Sequence, residues 1–150
     1  MADIVDAATR SRMMSGIRST NTRQEVALRK LLHRRGFRYR LHSKAVPGRP
    51  DMVFPAYRAA VFVHGCFWHG HDCRLFRLPA TRPEFWRDKI SRNGRRDLEV
   101  QQQLDDLGWR HLVVWECATR GQGDSAAEKV ADRVAGWLRS ERRHAEIRGM

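Results

Sequence analysis

At 150 residues, with 41% hydrophobic and 31% charged positions, the chain is the size of one domain with a real core, and its composition excludes a disordered tract. Its formal net charge of +12 points to a polyanion. Nucleic acid is the commonest such partner for a globular domain, although ribosomal and membrane-surface association share the signature. No apolar run reaches the roughly 18 residues of a membrane span, and MADIVDAATR lacks the basic and apolar regions of a signal peptide. Three cysteines is an odd count for a disulfide framework. Thiolates on a metal in a reducing compartment fit better, so the expected location is the cytoplasm, on bacterial nucleoid DNA.

In chain order, residues 1–21 are expected to form a basic arm, residues 22–140 the folded domain and residues 141–150 a loose charged tail. The arm is either frayed or ordered on nucleic acid. In the second case Arg10, Arg12 and Arg18 would meet phosphates and Met13 or Met14 would act as an apolar wedge. Thr22-Arg-Gln-Glu25 is a capping box, and Val26, Leu28, Leu31 and Leu32 follow at helical spacing up to Gly36. Glu25 therefore has a structural explanation ready, a reach back to the Thr22 N–H. Phe37 to Leu41 alternates apolar and basic, as a half-exposed strand does. A loop through Pro47-Gly48 leads to Asp51, and Met52–Phe54 with Arg58–His64 reads as a hairpin turning at Pro55-Ala56-Tyr57. Antiparallel pairing puts Asp51 and His64 at the same end of the sheet.

Thr81-Arg-Pro-Glu84 is a second capping box opening a long helix to Leu107-Gly108. Its stripe of Trp86, Ile90, Val100, Leu104 and Leu107 is interrupted by Asn93 and Asp97. Polar groups on an otherwise buried face are costly unless bonded, which suggests that this helix edge borders a site. Trp109–Cys117 is a strongly apolar strand expected to join the sheet by a crossover. Ser125-x-x-Glu128 caps a last helix carrying Val130, Val134, Trp137 and Leu138.

The chemistry concentrates in VFVHGCFWHGHDC, residues 61–73. Cys66, His71, Cys73 and Cys117 make a donor set of the structural-zinc type, with His69 an alternative to His71 and buried thiols the simpler reading. Filling all four positions leaves no place for a reactive water. Asp51, His64 and His69 offer a carboxylate and two imidazoles, which suits magnesium and proton transfer at a phosphodiester. Phe67 and Trp68 are either core or a wedge that unstacks bases.

GRPD at 48–51, VFVHGCFWHGHDC at 61–73, PATRPEFWRDKI at 79–90 and GWRHLVVWECA at 108–118 closely resemble the very-short-patch-repair (Vsr) mismatch endonucleases of bacteria. The resemblance implies an α/β, restriction-endonuclease-like core, a mixed central sheet flanked by helices, with a structural zinc site. It implies nicking 5′ of the thymine in T:G mismatches left by deamination of 5-methylcytosine. By the same resemblance Asp51 binds magnesium, with His69 as base, His64 as second catalytic histidine and Glu25 in support. Cys66, His71, Cys73 and Cys117 take zinc, and Met14, Phe67, Trp68 and Trp86 intercalate, with Asn93 on the same DNA-facing helix edge. Position 63 is Val where Thr is familiar in the family, so a metal contact there would use the backbone carbonyl of Val63. The place of the restriction enzymes' catalytic Lys is taken by His64. A monomer with a working link to the mismatch-repair machinery is expected, on double-stranded DNA and no membrane. The rival reading is a zinc-stabilised module that binds distorted duplex without cutting it.

Overall fold

The computed structural model describes residues 22–149. The expected arm, with Met14, lies outside the described residues. In chain order the elements are α1 (Arg23–Arg34), β1 (Arg40–Leu41), β2 (Met52–Phe54), β3 (Ala59–His64), α2 (Pro83–Asp106), β4 (Arg110–Trp115), α3 (Ala126–Leu138) and β5 (His144–Ile147).

The strands form one mixed sheet in the order β1-β2-β3-β4-β5. β1, β2 and β3 pair antiparallel, whereas β4 lies parallel to both β3 and β5. The hairpin turn at Pro55–Tyr57 is one turn of 3-10 helix, and Arg58 closes it in the left-handed region at φ 45°. Helix α2 supplies the crossover from β3 to β4 that a parallel pair needs.

Strand alternation sorts the core into two layers. Ala59, Val61, Leu112 and Val114 face one side, where Leu28 and Leu32 of α1 and Val130, Val134, Trp137 and Leu138 of α3 cover them. Ala60, Phe62, Val113 and Trp115 face the other, against Leu104 and Val100 of α2. Leu32, Leu104 and Leu112 are wholly buried, each contributing about 2 kcal/mol by removing its side chain from water. The result is the α/β, single-domain arrangement of a mixed sheet flanked by helices.

Several expectations need correction. The tail is not loose: residues 144–147 form β5, with His111 paired to His144 and Val114 to Ile147. The β1 strand is only two residues long, because Phe37 instead turns into the core and packs edge-on against Phe54. Thr81 does not cap α2. Arg82 occupies the N-cap in the left-handed region at φ 55°, with no side-chain cap bond, and Pro83 starts the helix. Ser125 does stand at the N-cap of α3, but its helical backbone (φ −87°, ψ 0°) leaves its hydroxyl without a capping bond. The α2 stripe ends at Leu104, since Leu107 at the C-cap is 55% exposed. Among the described residues no helix is long and apolar enough to cross a membrane.

Candidate active site and metal loop

The C-terminal ends of the parallel strands β3 and β4 lie side by side, with His64 opposite Trp115. In open α/β sheets this is where ligands bind. Asp51, one residue before β2, comes to the same end by the antiparallel register, and its Oδ2 accepts from the Val63 N–H at 2.6 Å. Behind it lies Glu25, wholly buried on α1. Thr22 caps the helix by accepting from the Glu25 N–H, as the capping box requires. The Glu25 carboxylate, however, is engaged by Arg29 at 3.0 Å and by His42 Nε2 at 3.2 Å. His42 Nε2 also stands 3.8 Å from Asp51 Oδ1. Burial, then the neighbouring Glu25, raise the Asp51 pKa to about 8. Two carboxylates desolvated side by side suit a bound cation, which would remove that penalty.

Next to them sit two imidazoles. His64 and His69 stack with centroids 3.8 Å apart and planes 3° from parallel. His69 Nδ1 lies 2.6 Å from Asp97 Oδ2, which fixes the ring and leaves Nε2 as the proton-accepting atom. His64 is largely enclosed, and its Nδ1 has no partner. Burial, then the adjacent His69, lower the His64 pKa to about 3, so this ring is neutral at physiological pH. The polar interruptions of α2 are thereby explained, for Asn93 Nδ2 donates to the Trp68 carbonyl at 2.8 Å and Asp97 holds His69.

Gly70 separates the two chemistries of the loop. Its φ is 62°, and a Cβ there would come within 2.7 Å of Ile90 Cγ2, so only glycine makes this turn unstrained. On its near side His69 joins His64 and Asp97. On its far side His71 joins Cys66, Cys73 and Cys117, whose ligand atoms all lie within 4.8 Å of one another. Of the two candidate imidazoles it is therefore His71 that completes the set. The 3.6 Å from Cys117 Sγ to His71 Nδ1 matches a tetrahedral edge of about 3.6 Å for metal–sulfur and metal–nitrogen bonds of roughly 2.3 and 2.05 Å. The Cys117 N–H donates to Cys66 Sγ, and the Gly149 N–H to Cys117 Sγ, both at 3.3 Å. Burial, then the Arg148 charge, hold the His71 imidazole below its usual range and so in the neutral form a ligand needs.

Trp115 joins the two halves. Its indole stacks on His71 at 4.0 Å and 6°, and meets the His64 and His69 rings edge-on at 5.3 and 6.1 Å. Its Nε1–H donates to Glu146 Oε1 at 2.7 Å. Phe67, Trp68 and Trp86 form a half-buried edge-to-face cluster with centroids 5.1 to 5.8 Å apart. Lys89 lies over Trp68 at 5.6 Å.

Asp51, His64, His69 and Asp97 share one cleft of about 650 Å³, into which Lys44, Arg49 and Arg96 bring positive charge. Sequence reasoning missed His42 and the bridging roles of Trp115 and Glu146. Their partners lie 17 or more positions away in the chain, so no local pattern announces them. Asp97 was signalled by its break in the apolar stripe, although without a role.

A carboxylate pair, a proton-accepting imidazole held by an acid, and basic walls define a hydrolytic enzyme acting on an anionic substrate. The comparisons agree. The family model described as DNA mismatch endonuclease Vsr matches residues 2–75. The DNA mismatch endonuclease Vsr of Escherichia coli (strain K12) is 46% identical over 147 residues, 98% of this chain and 94% of that protein. The type II nicking enzyme V.XorIIP of Xanthomonas oryzae pv. oryzae is 50% identical over 117 residues, 78% of this chain and 86% of the relative. V.NmeAIP of Neisseria meningitidis, also a type II nicking enzyme, is 41% identical over 122 residues, 81% of this chain and 87% of the relative. The chain belongs to the Vsr family of DNA mismatch endonucleases.

Proposed function

We propose that the chain is a magnesium-dependent, strand-specific DNA endonuclease that nicks 5′ of the thymine in T:G mismatches arising from deamination of 5-methylcytosine. The observation that carries this reading is the Asp51 carboxylate and the stacked His64–His69 pair on one basic cleft, in a chain of this family.

Asp51 would hold the magnesium ion, with Glu25 in support and Val63 offering its backbone carbonyl. Bound there, magnesium would supply positive charge beside an anionic phosphodiester. His69 takes the proton of the attacking water on Nε2, while Asp97 stabilises the imidazolium that results. His64, neutral beside it, is a hydrogen-bond partner for water or leaving oxygen. Cys66, His71, Cys73 and Cys117 would bind a structural zinc, which would hold the loop and leave no open position for a reactive water. Phe67, Trp68 and Trp86 open the mismatched step, joined by Met14 from the arm, and Asn93 steadies Trp68 through its carbonyl. The mixed sheet with helices on both faces supports a restriction-endonuclease-like core. We read the enzyme as a monomer of the bacterial cytoplasm that works alongside the mismatch-repair machinery.

The test is a strand-resolved nicking assay on duplexes identical except for T:G or C:G at one position, with magnesium added or omitted. A single magnesium-dependent cut 5′ of the mismatched thymine is expected, and Asp51→Ala should bind the T:G duplex without cutting it. Tight T:G binding with no cut by the unaltered chain would overturn the reading in favour of a zinc-stabilised binding module.

A further inference from the structure

At the opposite end of β4 from the metal loop, three side chains converge from three elements. Asp105 lies in the last turn of α2, His111 is the second residue of β4 and His144 the first of β5. The register makes His111 and His144 direct neighbours, and their rings lie 4.7 Å apart at 29°. Asp105 Oδ1 stands 3.4 Å from His111 Nε2 and 3.5 Å from His144 Nε2. One ligand atom from each residue lies within 4.8 Å of the others.

The hydrogen-bond account of this cluster is incomplete. Asp105 Oδ1 and His111 Nε2 are both inaccessible to water and have no hydrogen-bond partner. His111 is 95% buried, at 5% exposure, yet its free nitrogen is aimed into the cluster. Leaving a buried donor or acceptor unmade costs about 1–3 kcal/mol, so two on one point ask for an occupant. The separations are long for N–H···O bonds but close to the edge of about 3.3 Å spanned by two ligands roughly 2.05 Å from a tetrahedral ion. Two imidazoles and one carboxylate form a donor set for a borderline transition ion, not for magnesium, which prefers oxygen. Arg143 is the one cation of the described residues that the ion-pair geometry brings near, with Nη2 at 4.0 Å from Asp105 Oδ1. Its Nη2 also donates to the Asp105 backbone carbonyl at 3.4 Å, and its side chain is 59% exposed.

We propose that Asp105, His111 and His144 form a second transition-metal site, for an ion of the Zn²⁺ class, which clamps β5 onto the sheet. It lies at the far end of β4 from Trp115, which is four residues from His111, about 13 Å at roughly 3.3 Å per residue. Its effect would still reach the loop through β5 itself. Downstream of His144, Glu146 holds Trp115, Arg148 pairs with Asp72 at 2.8 Å and the Gly149 N–H meets Cys117 Sγ. Solvent reaches the cluster from the side of the exposed His144.

The test uses the full chain with its cysteine site filled and excess metal dialysed away. Zn²⁺ is then titrated by calorimetry, with total zinc counted by elemental analysis, and thermal unfolding is followed with and without added Zn²⁺. The unaltered chain should take up one further equivalent and gain thermal stability. His144→Ala, at an exposed position, should weaken that uptake at least tenfold and lose the gain. Asp105→Asn, nearly isosteric, should do the same, and serves where His144→Ala disturbs the strand. His69→Ala should keep the extra equivalent, which separates this site from the His64–His69–Asp97 group. Uptake unchanged in both His144→Ala and Asp105→Asn, no further equivalent in the unaltered chain, or loss of the extra equivalent in His69→Ala would overturn the proposal.

Discussion

Asp97→Ala isolates what the α2 edge contributes to the proposed reaction. Asp97 Oδ2 lies 2.6 Å from His69 Nδ1, a short separation typical of a bond that strengthens as the ring gains charge. A hydrogen bond to a charged group contributes about 1.5–3 kcal/mol, or roughly 10- to 150-fold in rate at 1.4 kcal/mol per factor of ten. Solvent reaches Asp97, whose side chain is 24% exposed, so the lower part of that range applies. We expect kcat to fall roughly 10- to 30-fold. Binding should move the other way, because Asp97 puts a negative charge on a cleft meant for phosphate, and its loss should leave KM unchanged or lower. Asp97→Asn keeps an acceptor but loses the charge, and should fall between Asp97→Ala and the unaltered chain. Single-turnover nicking of a T:G duplex gives the rate, and titration in magnesium-free buffer gives the affinity. Asp97→Ala cutting within twofold of the unaltered chain would refute the reasoning, as would a defect confined to KM.

Three further outcomes follow from the same geometry. The Asp51 pKa of about 8 lies above its ordinary 3.8, so across that window the folded chain holds a proton that the unfolded chain has released. The lowered His64 pKa acts in the opposite sense below its ordinary 6.5, so in magnesium-free buffer stability should fall as pH rises from about 6.5 to 8, by up to about 1.4 kcal/mol per pH unit, and urea titrations of Asp51→Asn should lack that fall. Cys117→Ser removes one of the four proposed zinc ligands and a buried sulfur, so elemental analysis should show lost zinc. The melting temperature should fall by roughly 5–15 °C, from about 2–4 kcal/mol at 2–4 °C each. Trp86→Ala opens the aromatic cluster without touching Asp51, His64 or His69, and should weaken T:G duplex binding by about 1–3 kcal/mol in a fluorescence titration.

How far the site was legible depended on whether a residue's partner was near it in sequence. The two apolar runs that became β3 and β4 announced a buried parallel pair, since both of their faces are covered by helices. Thr22 and Glu25 lie three apart, and the cap they predict is made. The same pattern failed at Thr81 because a following arginine adopted a left-handed backbone and Pro83 supplied the first turn. Strand β5 escaped notice for a different reason. HAEI buries only its last residue fully, and the strand is held by backbone pairing to β4 that leaves no apolar signature. His42 was invisible because its meaning comes from Glu25, on a helix 17 residues earlier.

Trp115 joins the Cys/His cluster to the stacked His64–His69 pair within one segment. The indole lies flat on the His71 imidazole on one side and edge-on to the His64 and His69 imidazoles on the other. Any shift of His71 must either move the indole or open a gap beside it, and close-packed interiors tolerate neither cheaply. Gly70 allows His69 and His71 to diverge within three residues, so their separation is set by one turn and one ring. Glu146 then fixes the ring's rotation from β5. The final strand is thus as much a part of the site's geometry as the histidines, although it contributes no catalytic group.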